Sequence, residues 1–283
     1  MKAWFYPLLF TLYALPLQAA PQVILTTSTV TPGDTLRVEV DGLPPTEKKL
    51  KVVLLGKSYP FFPVGPNALR ALIGIPLGTS PQDAHLAFYR AGAPKVAIAG
   101  LEPVPVVIAG KEYPVENVQL GETKTPLISS EHLESKKIHQ ADMRLTARQF
   151  WEGSFVVPIP GPEIAPFGVK RTRNKTIDAG FHKGVDLRGA AGTPIQAANA
   201  GTVLLASSFK AHGRTVLINH GQGVMSIYLH MQSFAVKPGD SVAKGQVIGK
   251  VGASGLATGP HLHWQVYVHG VPVDPKQWLE QEL

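Results

Sequence analysis

A stretch that alternates strictly between two kinds of side chain folds with those kinds on opposite faces, and the segment Gly259-Pro260-His261-Leu262-His263-Trp264-Gln265-Val266-Tyr267-Val268 alternates in this way. His261, His263, Gln265 and Tyr267 share one parity while Leu262, Trp264, Val266 and Val268 share the other, the period-2 signature of a strand with one buried face. Both histidines therefore look out from the same side. Earlier in the chain, Phe181-His182-Lys183-Gly184-Val185-Asp186-Leu187 places an imidazole and a carboxylate four residues apart. Nitrogen and carboxylate oxygen suit zinc, whose catalytic sites use three protein ligands and leave a fourth position to water. His182, Asp186 and one of His261 and His263 would supply such a set, and the remaining histidine would stand one strand step away, within reach of a proton on bound water or substrate. No His-Glu-x-x-His helix offers a glutamate base, so histidine must do that work.

Neither pair is distinctive alone in a chain with ten histidines. The text between them narrows the reading: Gly192-Thr193-Pro194-Ile195-Gln196-Ala197, then Thr215-Val216-Leu217-Ile218-Asn219-His220-Gly221, Tyr228-Leu229-His230, and Val236-Lys237-Pro238-Gly239-Asp240 leading to Lys244-Gly245-Gln246-Val247-Ile248-Gly249. Over residues 156–279 this ordered set resembles the lysostaphin-type (LytM-domain) zinc metallopeptidases, endopeptidases that cut the peptide part of peptidoglycan. The resemblance implies that His182, Asp186 and His263 are the zinc ligands and that His230 and His261 are the two catalytic histidines that do not bind the metal. All five positions carry the expected residue type. Residues 236–251 are also similar to the turns of lipoyl and biotin carrier domains, but no lysine stands between methionine neighbours, so only β architecture is shared.

Cysteine is absent, which excludes thiol nucleophiles, disulfides and Cys-ligated zinc. Lys2, a mostly apolar run over 3–17 and Gln18-Ala19-Ala20-Pro21 read as a secretory signal peptide at 1–19, cleaved near Ala19. That run is shorter than the ~20 residues that span a bilayer, so stable membrane insertion after cleavage is not expected. Export without disulfides points to the periplasm or cell envelope of a bacterium. The formal charge of +7 falls to +6 with Lys2 removed (7 − 1), a modest balance that suits an anionic polymer. The export signal and the lack of a binding motif argue against nucleic acid.

Glycine and proline, 28 and 25 of 283 residues, supply many tight turns and favour a mostly β protein. The expected organisation is an N-terminal immunoglobulin-like β-sandwich of roughly seven strands at 20–112, a linker with a helix at 113–155, and a C-terminal antiparallel β-sheet of barrel-sandwich type at 156–283. Strands are expected at 35–40, 50–55, 71–75, 84–89, 95–99 and 104–108. Tyr59, Phe61 and Phe62 read as core rather than as an exposed patch, and His85 as a strand residue. Ser129 to Leu133 reads as a serine-capped helix start, with Leu133, Ile138, Ala141, Leu145 and Arg148 near one face and an end near Phe150. His132 and His139 read as surface groups, and His212 and His220 lie outside the motif, His220 as a turn residue capping a strand. Lys170, Arg171, Arg173 and Lys175 form a basic cluster that reads first as a solvated loop, with receipt of a stem-peptide carboxylate as the alternative, and Asn174 beside it is not assigned a substrate role. Tyr228 shares the parity of His230 and reads as packing.

The expected function is an exported, Zn2+-dependent endopeptidase acting on peptidoglycan peptide, with His230 and His261 sharing proton transfer and oxyanion stabilisation. Its rivals are a non-catalytic adaptor of the same fold, which would bind peptidoglycan or activate an amidase, and a secreted peptidase acting on ordinary protein. A first domain with a regulatory role would act by covering the site.

Overall fold

The structure, a computed structural model, describes residues 20–44, 49–92, 98, 100–141, 146–175 and 177–283. The expected signal peptide at 1–19 and most of the strand expected at 95–99 lie outside those residues. Among the described residues no helix is long and apolar enough to cross a membrane.

Short apolar runs broken by glycine and aspartate turns build two N-terminal sheets. One orders Gln22–Leu25, Thr35–Asp41, Leu69–Gly74 and Phe62–Pro63; the other orders Thr29–Val30, Val104–Ile108, Gln82–Arg90, Leu50–Leu54 and Lys57–Pro60. Leu36, Val38 and Val40 meet Val52, Leu54, Leu86 and Phe88 in one core. The sandwich thus has nine described strands instead of about seven, because pieces as short as Thr29–Val30 and Phe62–Pro63 carry no readable period. Tyr59, Phe61 and Phe62 are buried, and His85 is an exposed strand residue.

The second unit is built around an eight-stranded sheet, with a smaller sheet of Pro194–Gln196, Val247–Lys250 and Ser233–Phe234 beside it. The path of the larger sheet runs Glu163–Ala165, Val185–Arg188, His261–Val268, Val224–Met231, Arg214–Gly221, Gly201–Ser208 and Ser241–Val242, with Val271–Val273 paired to His261–Val268. Every pairing in it is antiparallel. The predicted alternation holds along His261–Val268: Leu262, Trp264, Val266 and Val268 enter the core with Trp151, Phe155 and Trp278. Each large apolar side chain fully buried there stabilises by roughly 1.5–3 kcal/mol. On the other face Tyr267, Ile227, Leu229 and Met225 pack with Ile138 of the connector.

The connector departs from its sequence reading. Its helix runs over Ile128–Ala141, after a 3-10 turn at Thr125–Leu127, and the described residues 146–150 are not helical. Residues 146–150 instead pair with residues 220–222, where the Arg214–Gly221 strand enters its turn, through Phe150 N–H to His220 O at 2.8 Å and Gln222 N–H to Thr146 O at 2.7 Å. Gly221 is required at that turn, because a Cβ would stand 1.8 Å from the Arg148 carbonyl oxygen and φ is +91°. Ser129 is no N-cap; its hydroxyl donates back to Pro126 O at 2.9 Å. The buried face carries Glu134 and Ile138, whereas Leu133 is 63% exposed. Periodicity over 133–148 misled because a buried carboxylate, not leucine, docks the helix. Leu145 lies outside the described residues.

The sandwich is fastened to the second unit. Thr35 N–H donates to Gln277 Oε1 at 2.7 Å, Gln277 Nε2 donates back to Thr35 O at 2.9 Å, and Trp278 Nε1 donates to Thr35 Oγ1 at 3.1 Å. Gly74 leaves room for Val271 and Val273, within 2.9–3.2 Å of where its Cβ would be. His269, in the positive-φ turn expected at His269-Gly270, stacks on Phe62 and meets Tyr59 edge-on.

Candidate active site

Sheet register brings the distant residues together. Asp186 pairs directly with His263, and Arg188 with His261, across the Val185–Arg188 and His261–Val268 strands. On the other side of His263 stands Leu229, one residue before His230. His182 follows the Ile177–Phe181 strand, its backbone tied to Val169 and Gly168 at 2.7 and 2.8 Å.

His182, Asp186 and His263 are buried and converge on one point. His182 Nε2 lies 3.1 Å from Asp186 Oδ1 and 2.9 Å from His263 Nδ1, and His263 Nδ1 lies 2.6 Å from the same oxygen. The His182 Nδ1 donates to Pro166 O at 2.7 Å, an acceptor only, so Nε2 is the atom turned into the cluster. Two imidazole nitrogens and a carboxylate oxygen this close form a group that could hold a metal ion. The donor set and the local geometry fit a divalent metal of the zinc type. Burial alone would raise the Asp186 carboxyl; the adjoining His263 and His182, by charge and hydrogen bonding, outweigh it and hold the group ionised far below the usual carboxylate range. Burial pulls His263 down to about 4, so it is neutral at pH 7.

His230 reaches the same face by a backbone irregularity. Tyr228 pairs with Val216 and Met231 with Arg214, leaving one extra residue on the Val224–Met231 strand, a β-bulge. His230 sits in it at φ +61°, a left-handed conformation that few non-glycine residues adopt. Leu229 and His230 therefore both border the cavity while Tyr228 and Met231 both lie in the core. The parity shared by Tyr228 and His230 in sequence fails at this bulge; Tyr228 is a packing residue whose hydroxyl accepts Ala198 N–H at 2.8 Å. The Nδ1 of His230 donates to Ser254 O at 2.8 Å and that of His261 to Gly259 O at 2.9 Å. Both rings thus carry a free Nε2 lone pair. Burial, followed by the charges of His261 and His263, lowers the His230 pKa well below its ordinary value, so it is a neutral proton acceptor at pH 7. Its ring centre is 5.1 Å from that of His261, and His261 Nε2 is 3.8 Å from Asp186 Oδ1.

The basic cluster serves the fold. Arg171 holds Asp186 Oδ2 at 2.8 Å and Glu116 at 3.0 Å, Arg173 pairs with Glu131, and Asn174 accepts Leu120 N–H at 2.7 Å; Lys170 and Lys175 are exposed. Arg171 and Arg173 are therefore engaged by acids before any substrate carboxylate arrives, a pairing that no local sequence window encodes. Glu116, Leu120, Glu131 and Ile138 border the cavity opposite the histidines, so its cover comes from the connector, whereas no described residue of 20–112 lines it. Lys124 reaches across to the carbonyls of Ala253, Gly255 and Ala257, and Glu134 accepts the N–H groups of Lys210, Ala211 and His212 as well as His212 Nδ1. His212 thus serves to dock the helix. His220 is no turn cap but a buried strand residue, bonded to Ala200 O and Ser226 Oγ at 2.7 Å each.

Comparison with known proteins agrees with this geometry. Residues 180–275 match the peptidase family M23. The chain is 38% identical over 95 residues to the DD-carboxypeptidase/endopeptidase Mpg of Neisseria meningitidis, covering 34% of this chain and 22% of that protein. It is 38% identical over 110 residues to the peptidoglycan DD-endopeptidase ShyC of Vibrio cholerae, covering 39% of this chain and 25% of that protein. The chain therefore spans about a quarter of the length of these curated relatives. A crystal structure of a putative peptidase M23 from Pseudomonas aeruginosa superposes with a TM-score of 0.64 at 28% identity, over 88% of this chain and 94% of that one, so nearly the whole two-unit architecture is shared. Residues 180–275, which hold the His182, Asp186 and His263 cluster, thus form a domain of the peptidase M23 type.

Proposed function

We propose that the protein is an exported zinc endopeptidase that cleaves peptide cross-links or stem peptides of bacterial peptidoglycan. The observation that carries this reading is the coincidence, in one cavity, of a closed His182–Asp186–His263 donor set with two further histidines whose Nε2 atoms are free. A zinc ion held by that set would supply a positive charge to polarise the scissile carbonyl and to lower the pKa of a bound water. His230 and His261 accept and return protons at Nε2, each fixed in that tautomer by a carbonyl on the 252–260 loop. The relatives named as DD-endopeptidases favour a DD bond as the target. Export, and a periplasmic or envelope location, follow in this reading from the leader-like residues 1–19.

Digestion of purified sacculi, with the released muropeptides weighed by mass spectrometry, tests the substrate. Expected is chelator-sensitive release of cross-link cleavage products by protein carrying about one zinc per chain. Intact sacculi combined with a zinc content near zero would return the adaptor reading.

A further inference from the structure

Gln265 is a buried polar residue on the ligand strand, two residues beyond His263 on the same face. Its side-chain nitrogen Nε2 lies 2.7 Å from His263 Nε2, the ring nitrogen that points away from the cluster, so turning the amide over about its terminal bond puts the oxygen there. Since Nδ1 is the atom facing His182 and Asp186, its lone pair must be free when a cation is bound, and the ring proton must then sit on Nε2. A protonated Nε2 needs an acceptor, and the amide beside it meets that need with its oxygen turned towards the ring; the two ends of such an amide are interchangeable in shape. Gly184 makes the room. A Cβ there would stand 2.7 Å from Gln265 Cγ and 2.3 Å from the Trp264 carbonyl oxygen, so the glycine between the two ligands of the His182-x-x-x-Asp186 motif is what lets Gln265 lie against His263.

We propose that Gln265 is the positioning residue of the metal centre, accepting the Nε2 proton of His263 and so holding Nδ1 as the metal-facing atom. With Pro166 O serving His182 and Arg171 serving Asp186 Oδ2, each of the three ligands then has its own orienting partner. The inference rests on the zinc reading above. Its test is zinc affinity, measured by competition with a chromophoric chelator. Gln265→Leu should bind zinc roughly 10- to 100-fold more weakly than the native chain, and Gln265→Glu, which keeps an acceptor, should recover most of the loss. A Leu variant with native affinity would overturn the proposal. Imidazole 15N NMR of the native zinc-loaded protein needs no variant: a proton on His263 Nε2 is expected, and an unprotonated Nε2 would overturn it equally. A native chain that binds no zinc would sink both readings, whereas tight native binding with an indifferent Leu variant would sink this one alone.

Discussion

His182, Asp186 and His263 divide from His230 and His261 by what each ring or carboxylate faces, and that division is measurable. His182→Ala or Asp186→Ala should remove zinc and activity together, because each deletes one of three convergent donors. His261→Ala should leave zinc bound and lower kcat by about 10² to 10⁴, the usual worth of a positioned acid or base. Metal content by elemental analysis beside sacculus digestion separates the two outcomes; a metal-free His261 variant would contradict its assignment. At this scale the sequence was legible where a residue type and a spacing coincide. His182 and Asp186 show as a spaced pair, and His261 and His263 as a strand parity. His230 was found through resemblance, since its arrival depends on a bulge that moves it off the parity of Tyr228. Gln265 was visible as a member of the polar parity, but its role needs the ring beside it. Arg171 read as part of a solvated basic loop, or else as a substrate-binding charge, because its partners, Glu116 and Asp186, lie 55 and 15 positions away.

Among the elements, the connector helix is the one whose sequence signal and structure differ most. Helix propensity and a serine suggested a capped amphipathic rod, yet the helix is docked by Glu134 on the 210–212 backbone and Glu131 on Arg173, beside Ile138. Burial tends to raise the Glu134 pKa; hydrogen bonds from His212 and from the 210–212 backbone reverse this and lower it, so Glu134 remains charged in its socket. Glu134→Ala should leave those three N–H groups without their acceptor, at about 1–3 kcal/mol for each that stays buried. Hydrogen exchange should then quicken across 128–141 and 210–212 while the Leu69–Gly74 strand keeps its protection; unchanged exchange in the helix would show that Ile138 packing suffices. Strands proved easier to read than this helix. Alternation such as that over Thr35–Asp41 is local, whereas the helix face is chosen by what lies underneath.

For the molecule as a whole, two histidines remote from the ligand cluster link folding to pH. Burial brings His220 and His269 each to about 4, in His269 aided by Lys57, against an ordinary value near 6.5. Below 6.5 the unfolded chain binds protons that these folded rings refuse, so stability should fall as pH drops from about 6.5 to 4, by up to ~1.4 kcal/mol per pH unit for each. Above 6.5 neither contributes a slope. Thermal midpoints at pH 7.5, 6 and 5 check this, and a midpoint that rises into acid would contradict it. His269 also ties two ends of the protein to each other. The strand that presents His261 and His263 runs on to a turn clasped by Tyr59 and Phe62, a span of roughly 20 Å at the usual rise of a strand. The sandwich therefore grips the handle of a lever whose working tip carries His261 and His263, and any tilt of residues 22–108 is delivered to those side chains along a single stiff ribbon.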